Sequence, residues 1–128
     1  MYHRDWLMRQ IETITRYVFS LILGKGAELS SDIRLETKQP DSGDARSLSF
    51  RLGALLREER LCDAENLLYA AVEEGDPEAL PAGLRFYNEL NALSDETLAR
   101  CDFSREEILS GLKELCASYG YDTGVLGL

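Results

Sequence analysis

The first strong pattern along the chain is a run of apolar residues at helical spacing within residues 3–23. These residues recur in steps of four and three, the spacing of a coiled-coil seam. The five seam residues are Leu7, Ile11, Ile14, Val18 and Leu21. Further apolar residues flank the seam and leave only a narrow polar strip that includes Arg4, Arg9 and Glu12. The pattern predicts an amphipathic helix that is too apolar to stay exposed.

Three kinds of surface could cover such a helix. Burial against the rest of the same chain comes first, because packing is the usual source of helix stability. Self-association through the five seam residues comes second, and contact with a membrane surface comes third. The membrane is least favoured because the helix carries only about one net positive charge, whereas membrane-surface helices have a strongly basic polar face.

A second pattern lies between Asp63 and Leu80. Its apolar residues line one face of a helix with 3.6 residues per turn. They are Ala64, Leu67, Leu68, Ala71 and Val72. Gly75 can close this helix with a positive φ, Asp76 can cap the next helix, and Pro77 suits its first position. We therefore expect a tight turn between two helices.

Similar periodicity predicts helices over 47–61 and 77–92, a short helix opening at Ser94, and a last one opening at Ser104. The last start is the clearest local signal, because Ser104 and Glu107 have the spacing of a capping box. The abundance of Leu, Ala, Glu and Arg also favours helix. The predicted fold is all-α, with five to six helices: repeat-like antiparallel hairpins and a long apolar N-terminal helix.

Residues 27–46 interrupt the helical pattern with polar residues, Pro40 and Gly43. A loop of about twenty residues is unusual inside a compact domain, so we expect a linker or a mobile arm here. The domain organisation follows from this interruption. We predict an N-terminal helix over 1–24, the linker over 25–46, a helical domain over 47–119 and a flexible tail over 120–128.

Charge is unevenly distributed along the chain. Lys and Arg number 14 against 23 Asp and Glu, which gives a net charge of −9. Residues 1–46 are balanced, so the whole excess of negative charge falls on residues 47–128. Such a surface repels a phosphate backbone, and nucleic-acid binding is therefore not expected.

Residues that could carry catalysis or bind metal are sparse. His3 is the sole histidine in the sequence and has no second ligand at metal spacing. Cys62 and Cys101 fall near predicted helix starts, where a thiolate could be favoured. Buried apolar filler is the better interpretation of these two and of Cys116, since free cysteine is among the most buried residue types. We expect no enzymatic activity, no metal and no cofactor.

The sequence also bears on the compartment. Charged residues stand near the N-terminus where a signal peptide would need its apolar core. The apolar run from Tyr17 to Leu23 is far shorter than the roughly 20 residues that cross a bilayer. The three cysteines are odd in number and form no CxxC pair, which fits reduced thiols. These features together predict a cytoplasmic protein.

A weaker constellation suggests a peptide-binding groove. Arg85, Asn88 and Asn91 share one face of a predicted helix, and Phe50 and Arg57 share a face of another. Asparagine amides both donate to and accept from a peptide backbone, and arginine can form two hydrogen bonds with a carboxylate. These five residues could line one groove for an extended peptide, but the favoured interpretation is that the polar ones are ordinary exposed residues.

Residues 47–77 resemble a tetratricopeptide repeat. The matching positions are Leu52, Gly53, Leu56, Ala64, Leu68, Ala71, Asp76 and Pro77. Small residues such as Gly53 and Ala64 let helices approach closely, and the proline starts the next unit. The match departs in two places, because the turn is one residue short and Ser49 stands where an aromatic residue is expected. The resemblance implies stacked helical hairpins that need neighbours to cover them.

Three segments are similar to a family of small bacterial proteins of unknown function. They are HRDWLMRQIE at 3–12, AENLLYAAVEEGDPEA at 64–79 and DFSREEI at 102–108. This resemblance implies no activity. Our functional hypothesis is a non-enzymatic protein–protein interaction or oligomerisation module, with a second copy bound through the N-terminal helix or a peptide or protein as partner. The alternative is a peripheral membrane-surface or partner-recruiting adaptor anchored by the same helix.

Overall fold

The computed structural model describes residues 2–23 and 47–121, with side chains described for 4–22 and 47–121. These residues form six helices and no strand, which confirms the all-α prediction. The helices are α1 (Tyr2–Leu23), α2 (Leu48–Arg57), α3 (Leu61–Glu73), α4 (Ala79–Asn91), α5 (Asp95–Arg100) and α6 (Arg105–Ser118). The predicted linker at 25–46, most of the predicted tail at 120–128 and the side chain of His3 lie outside the described part.

Serine residues start three of the helices. Ser47, Ser94 and Ser104 each adopt an extended conformation and accept a hydrogen bond from an amide in the first turn of the helix that follows. At α6 the predicted capping box is complete, because Ser104 Oγ accepts from the Glu107 amide at 3.1 Å and Glu107 Oε1 accepts from the Ser104 amide at 2.9 Å. Losing such a cap costs about 1 kcal/mol.

Four helices end with a residue in the left-handed conformation. The residues are Gly75 (φ 74°) after α3, Gly120 (φ 85°) after α6, Glu59 (φ 60°) after α2 and Asp102 (φ 59°) after α5. In each case the following amide bonds back across the last turn, as Arg60 N does to Leu55 O at 2.9 Å. The positive φ predicted for Gly75 is confirmed, whereas the two acidic residues hold a conformation that glycine normally supplies.

The central helix of this fold is α4. It contacts α1, α2, α3 and α6, and nine of its 13 residues are buried. One group of mutually contacting helices is α1, α4 and α6, and the other is α2, α3 and α4. Gly83 of α4 allows both α6 and α3 to approach closely. A Cβ at this position would lie 2.5 Å from Leu115 Cδ2 of α6 and 3.2 Å from both methyl groups of Leu68 of α3.

A carboxylate links the α2–α3 hairpin to α4. Glu78 directly precedes α4, and its two oxygens accept hydrogen bonds from the amides of Leu48 at 3.2 Å and Ser49 at 3.3 Å. Negative charge is stabilising at a helix N-terminus, so Glu78 anchors the start of α2. Asp76 Oδ1 in turn accepts from the Glu78 amide at 2.9 Å. The cap predicted at Asp76 does not start α4, which begins at Ala79, two residues later than predicted, with Glu78 as its N-cap and without a side-chain cap hydrogen bond.

Candidate interaction surfaces

The predicted seam of α1 is docked within the chain. Leu7, Ile11, Ile14 and Val18 are almost completely buried, in the core that α1 shares with α4 and α6, whereas Leu21 is 47% exposed. Burying such side chains contributes about 1.5–3 kcal/mol each, so undocking the four would cost on the order of 6–12 kcal/mol. That is comparable with the whole stability of a domain. The structure places these four in the chain's own core rather than in the oligomer interface predicted for them.

The outward side of α1 carries a second set of residues, which we name the outer stripe. Its members are Trp6, Gln10, Thr13, Tyr17, Ser20 and Leu21, none of them charged. At 3.6 residues per turn they fall within about 100° of the helix circumference. Among the described side chains four large hydrophobic ones are exposed, and three of these belong to the outer stripe: Trp6 at 47%, Tyr17 at 36% and Leu21 at 47%.

The signal for the outer stripe was present in the sequence. Positions 6, 10, 13, 17 and 20 repeat the steps of four and three that define the buried seam. The buried seam is more apolar and dominates the sequence pattern. The apolar members of the outer stripe were therefore recognised only as residues that flank the seam. Clustered apolar residues on a surface often mark an interaction site. None of the helices in the described ranges is long and apolar enough to span a bilayer.

The residues predicted to form a peptide groove lie on separate surfaces. Phe50 lines a groove of about 490 Å³ between α2 and α3, together with Arg51, Ala54, Leu55, Arg60, Asp63 and Leu67. Asn88 and Asn91 line another groove of about 440 Å³ between α1 and α4, together with Asp5, Met8, Arg9, Glu12 and Ala92. Arg57 and Arg85 line neither groove. The structure therefore does not bring the five residues into one site.

Two of these five residues hold α1 in place. Asn91 is buried, its Nδ2 donates to the Met8 carbonyl at 3.0 Å, and its Oδ1 accepts from Arg105 at 3.3 Å. The Arg85 guanidinium lies over the ring of Phe19, 5.1 Å from its centroid, in a cation–π contact between α4 and α1. The face predicted to bind a peptide is thus occupied by α1 at these two positions, because helical periodicity identifies a shared face but not the helix that covers it.

A polar cluster joins the starts of α1, α5 and α6 to the end of α4. No pattern in the sequence predicted this cluster. The side chain of Arg105 is only 6% exposed and donates to the carbonyls of Asn91 at 2.8 Å and Leu93 at 2.6 Å and to Asp95 at 3.1 Å. Arg4 donates to the other Asp95 oxygen at 2.9 Å. Hydrogen bonds from Arg4, and then from Arg105, hold the pKa of the Asp95 carboxyl below its ordinary value of 3.8.

This cluster borders an open cavity of about 300 Å³ that Arg4, Asp95 and Arg105 help to line. The Arg105 guanidinium already bonds to three protein partners, and Arg4 is paired with Asp95. The charges therefore neutralise one another across the helix ends instead of presenting a free cation to a ligand. The arrangement works as a clamp between α1, α4, α5 and α6.

A second polar cluster joins α3 to α4. The phenol groups of Tyr87 and Tyr69 both donate to Glu65 Oε2, at 2.9 Å and 3.0 Å. Burial, followed by the nearby Glu65 charge, raises the pKa of Tyr69 to about 12 and raises the pKa of Tyr87 strongly. Both phenols consequently stay protonated near neutral pH and act as hydrogen-bond donors. A Cβ at Gly111 of α6 would lie 2.5 Å from Tyr87 Oη, so three helices meet closely here.

The cysteines occupy different environments, and all three are free thiols. Cys116 is buried, as predicted, and burial raises the pKa of its thiol to about 12. Cys62 is exposed, which corrects the expectation of burial, and partial desolvation together with the Asp102 charge raises its pKa. A raised pKa disfavours the reactive thiolate. Within residues 4–22 and 47–121, no group of three or more His, Cys, Asp and Glu side chains is placed to hold a metal ion.

Comparison with known proteins identifies one family. A family model described as a family of unknown function (DUF6483) matches residues 1–120, which include all six helices. No curated protein and no solved structure matches the chain. The family description assigns no activity, so the surfaces described above provide the basis for a functional inference.

Proposed function

We propose that this chain, which belongs to the family of unknown function DUF6483, is a non-enzymatic protein-interaction module that self-associates through the outer stripe of α1. The observation that carries the proposal is the exposure of Trp6, Tyr17 and Leu21 on one uncharged face. Aromatic anchors on such a face supply most of the binding energy of a protein interface. The free cysteines support the cytoplasm as the compartment.

The α2–α3 hairpin supports an interaction role as well. Its two helices contact each other, and α4 contacts both, as the next helix of a tetratricopeptide-like array would. The groove that contains Phe50 lies between α2 and α3 and is open to solvent. A repeat-like unit with an uncovered groove offers a second surface for a peptide or protein partner.

The polar groups of the fold support a role without catalysis. A general acid or base works best when its pKa lies near the working pH. Here the shifted carboxyl and phenol pKa values move away from neutrality, downward for Asp95 and upward for Tyr69 and Tyr87. Asp95 and Tyr87 are engaged in hydrogen bonds between helices, whereas Tyr69 donates to Glu65 within α3. The bonds of Asp95 and Tyr87 serve to hold the helices together.

Size-exclusion chromatography with light scattering tests self-association. Over a range of about 10 μM to 1 mM we expect the mass of the protein to rise from monomer toward dimer. Tyr17→Ser removes an aromatic anchor of the outer stripe and should abolish this rise. Tyr69→Ser is the matched control, because Tyr69 is 39% exposed against 36% for Tyr17 but lies on α3. It should leave the association unchanged.

Two outcomes would overturn the proposal. One is a wild-type protein that stays monomeric throughout the concentration range. The other is equal loss of association in Tyr17→Ser and Tyr69→Ser, which would place the contact elsewhere. Co-sedimentation with vesicles of phosphatidylserine and phosphatidylcholine provides a further arm. A monomer that binds these vesicles, with binding lost in Tyr17→Ser, would favour the membrane-surface adaptor instead.

A further inference from the structure

The groove between α2 and α3 has an apolar floor that no helix of the described ranges covers. Its apolar lining residues are Phe50, Ala54 and Leu55 of α2 and Leu67 of α3. All of them are only half-buried, whereas Leu68, the next residue along α3, is completely buried and lies against Gly83 of α4. Helix α4 therefore covers one side of the hairpin, and the α2–α3 groove lies on a side that α4 leaves open.

The charge around this floor differs from the charge of the chain as a whole. Among the described helices α2 alone has no acidic residue, and it carries Arg51 and Arg57 in a chain with a net charge of −9. At the rim of the groove Arg60 is paired with Asp63 at 2.9 Å. The exposed Arg51 also lines the groove, and its guanidinium makes no ion pair or hydrogen bond with any described residue. The groove thus combines an apolar floor with one uncompensated positive charge.

We infer that the α2–α3 groove binds an amphipathic helix of a partner protein, in which one acidic residue lies a helical turn from the apolar residues that fill the groove. The inference rests on the interaction role proposed above and adds the chemistry of the partner at its second surface. Amphipathic helices bind in apolar grooves through residues spaced at i, i+3 and i+4. A carboxylate on such a helix is attracted by Arg51, whereas a lysine at the same position is repelled.

The walls of the groove favour a helical partner. Both walls are helices whose backbone groups bond within the helix, so an extended peptide would find few partners for its own amides and carbonyls. A helix bonds its backbone internally and needs only side-chain contacts. A small apolar acid fits less well, because small-molecule sites enclose most of the ligand surface. The α2–α3 groove is open to solvent.

The single charge selects between partners and contributes little affinity. A pair of exposed charges changes an affinity only about two- to fivefold, because solvent screens it. The apolar floor must therefore supply most of the affinity. The net charge of −9 repels an acidic helix at longer range, and at about 150 mM salt this repulsion is largely screened beyond about 8 Å. The preference for an acidic partner should be measured at that salt concentration.

Amide chemical shifts in NMR spectra of the full chain, titrated with helical peptides of about 16 residues, test the inference. Three peptides rich in Ala and Gln carry the same leucines at i, i+3 and i+4, and they differ in one residue a turn away, which is Glu, Gln or Lys. The Glu peptide should shift the signals of Arg51, Ala54 and Leu67. It should bind about two- to fivefold more tightly than the Gln peptide, and the Lys peptide should bind least.

Two variants test the charge and the floor separately. Arg51→Glu should reverse the order, so that the Lys peptide binds more tightly than the Glu peptide. Arg9→Glu is the matched control, because Arg9 is also exposed, has no ion pair within the described residues and lies on α1. It changes the net charge by the same amount and should leave the order unchanged. Ala54→Phe fills the groove from its floor and should remove the shifts for all three peptides.

The contrary outcomes are distinct. Equal affinity for the three peptides would overturn the acidic partner. Absence of shifts at the groove residues would overturn docking there, as it would if another segment of the chain filled the groove. Shifts of the same signals with protein concentration alone would assign the groove to a second copy and overturn the inference. Self-association is read separately by light scattering with Tyr17→Ser, so its failure is distinguishable from failure of peptide binding.

Discussion

The guanidinium of Arg105 closes the carboxyl end of α4 by donating a 2.8 Å hydrogen bond to the carbonyl of Asn91. The last carbonyls of a helix have no partner within the helix, and here a buried side chain from the start of α6 supplies one. The same side chain reaches Leu93 and Asp95. A single arginine thus joins the end of α4 to the starts of α5 and α6.

Replacing Arg105 with methionine tests this clamp. Methionine fills similar space but donates no hydrogen bond, so buried carbonyl groups lose their partner and the free energy of unfolding should fall by about 2–3 kcal/mol. Urea denaturation measures the change. Arg100→Met is the matched control, because Arg100 binds Glu59 through two hydrogen bonds in an exposed pair that solvent screens, so its loss should be clearly smaller. Equal losses in the two variants would contradict the clamp.

Asp95 should make stability depend on pH. Its pKa is lower in the folded chain than the ordinary value of 3.8, chiefly through hydrogen bonds from Arg4 and Arg105. The stabilisation is therefore present above about pH 3.8 and is lost as the pH falls through the depressed folded-state pKa. At pH 7 the melting temperature of the wild type should be higher than that of Asp95→Asn, and this difference in melting temperature should disappear below pH 4. Glu96→Gln, in the same first turn of α5, controls for the helix dipole. A gap independent of pH would contradict the assignment.

Asp102→Gly should stabilise the protein. Asp102 holds a φ of 59° at the end of α5, a conformation that strains a residue with a side chain. Glycine relieves a strain of about 1–3 kcal/mol but loses about 0.5–1 kcal/mol more in backbone entropy on folding, which leaves a net gain of about 1 kcal/mol. Thermal denaturation measures it. Glu59→Gly relieves a similar φ of 60° but also removes the partner of Arg100, so its gain should be smaller. If Asp102→Gly were less stable than wild type, the Asp102 side chain would stabilise the fold by more than its backbone strain destabilises it.

Gly83→Ala should destabilise the junction of α3, α4 and α6. The added methyl would lie 2.5 Å from Leu115 Cδ2, and overpacking of this kind costs about 1–3 kcal/mol. Alanine gains about 1 kcal/mol in helix propensity, so the net loss should be modest. In a double-mutant cycle Leu115→Ala opens space for the new methyl, and the double variant should be more stable than the sum of the single losses. If the stability changes of the two single variants simply added up in the double variant, the position 83 side chain and Leu115 would not be in direct contact.

Local features of this fold could be predicted from the sequence, and contacts between distant segments could not. The capping box at Ser104 and the turn at Gly75 depend on a few neighbouring residues, and both formed as predicted. Glu59 and Asp102 adopt the positive φ that glycine usually supplies at the C-terminal end of a helix. Because neither is a glycine, no local sequence pattern marks the ends of α2 and α5. Asn91 was placed on the right helix, but its burial depends on α1, which is 83 residues away from it at the Met8 contact.

The same limit applies to the candidate site. The spacing of Leu7, Ile11, Ile14 and Val18 predicted an apolar face, and burial within the chain was the first of the three alternatives for it. Which face of α1 stays at the surface could not follow from spacing alone, because two stripes with the same period run along the helix. Only the positions of α4 and α6 decide that Trp6 and Tyr17 face outward.

The central position of α4 has a consequence for how the chain comes apart. Repeat arrays can lose their end units one at a time, because each unit contacts only its neighbours. Here α4 contacts α1, α2, α3 and α6, so detaching any of these four helices must disturb the same helix. Amide protons in the middle of α4 should exchange with deuterium last, and at close to the rate of global unfolding. These five helices then behave as one cooperative unit, even where two of them resemble a repeat.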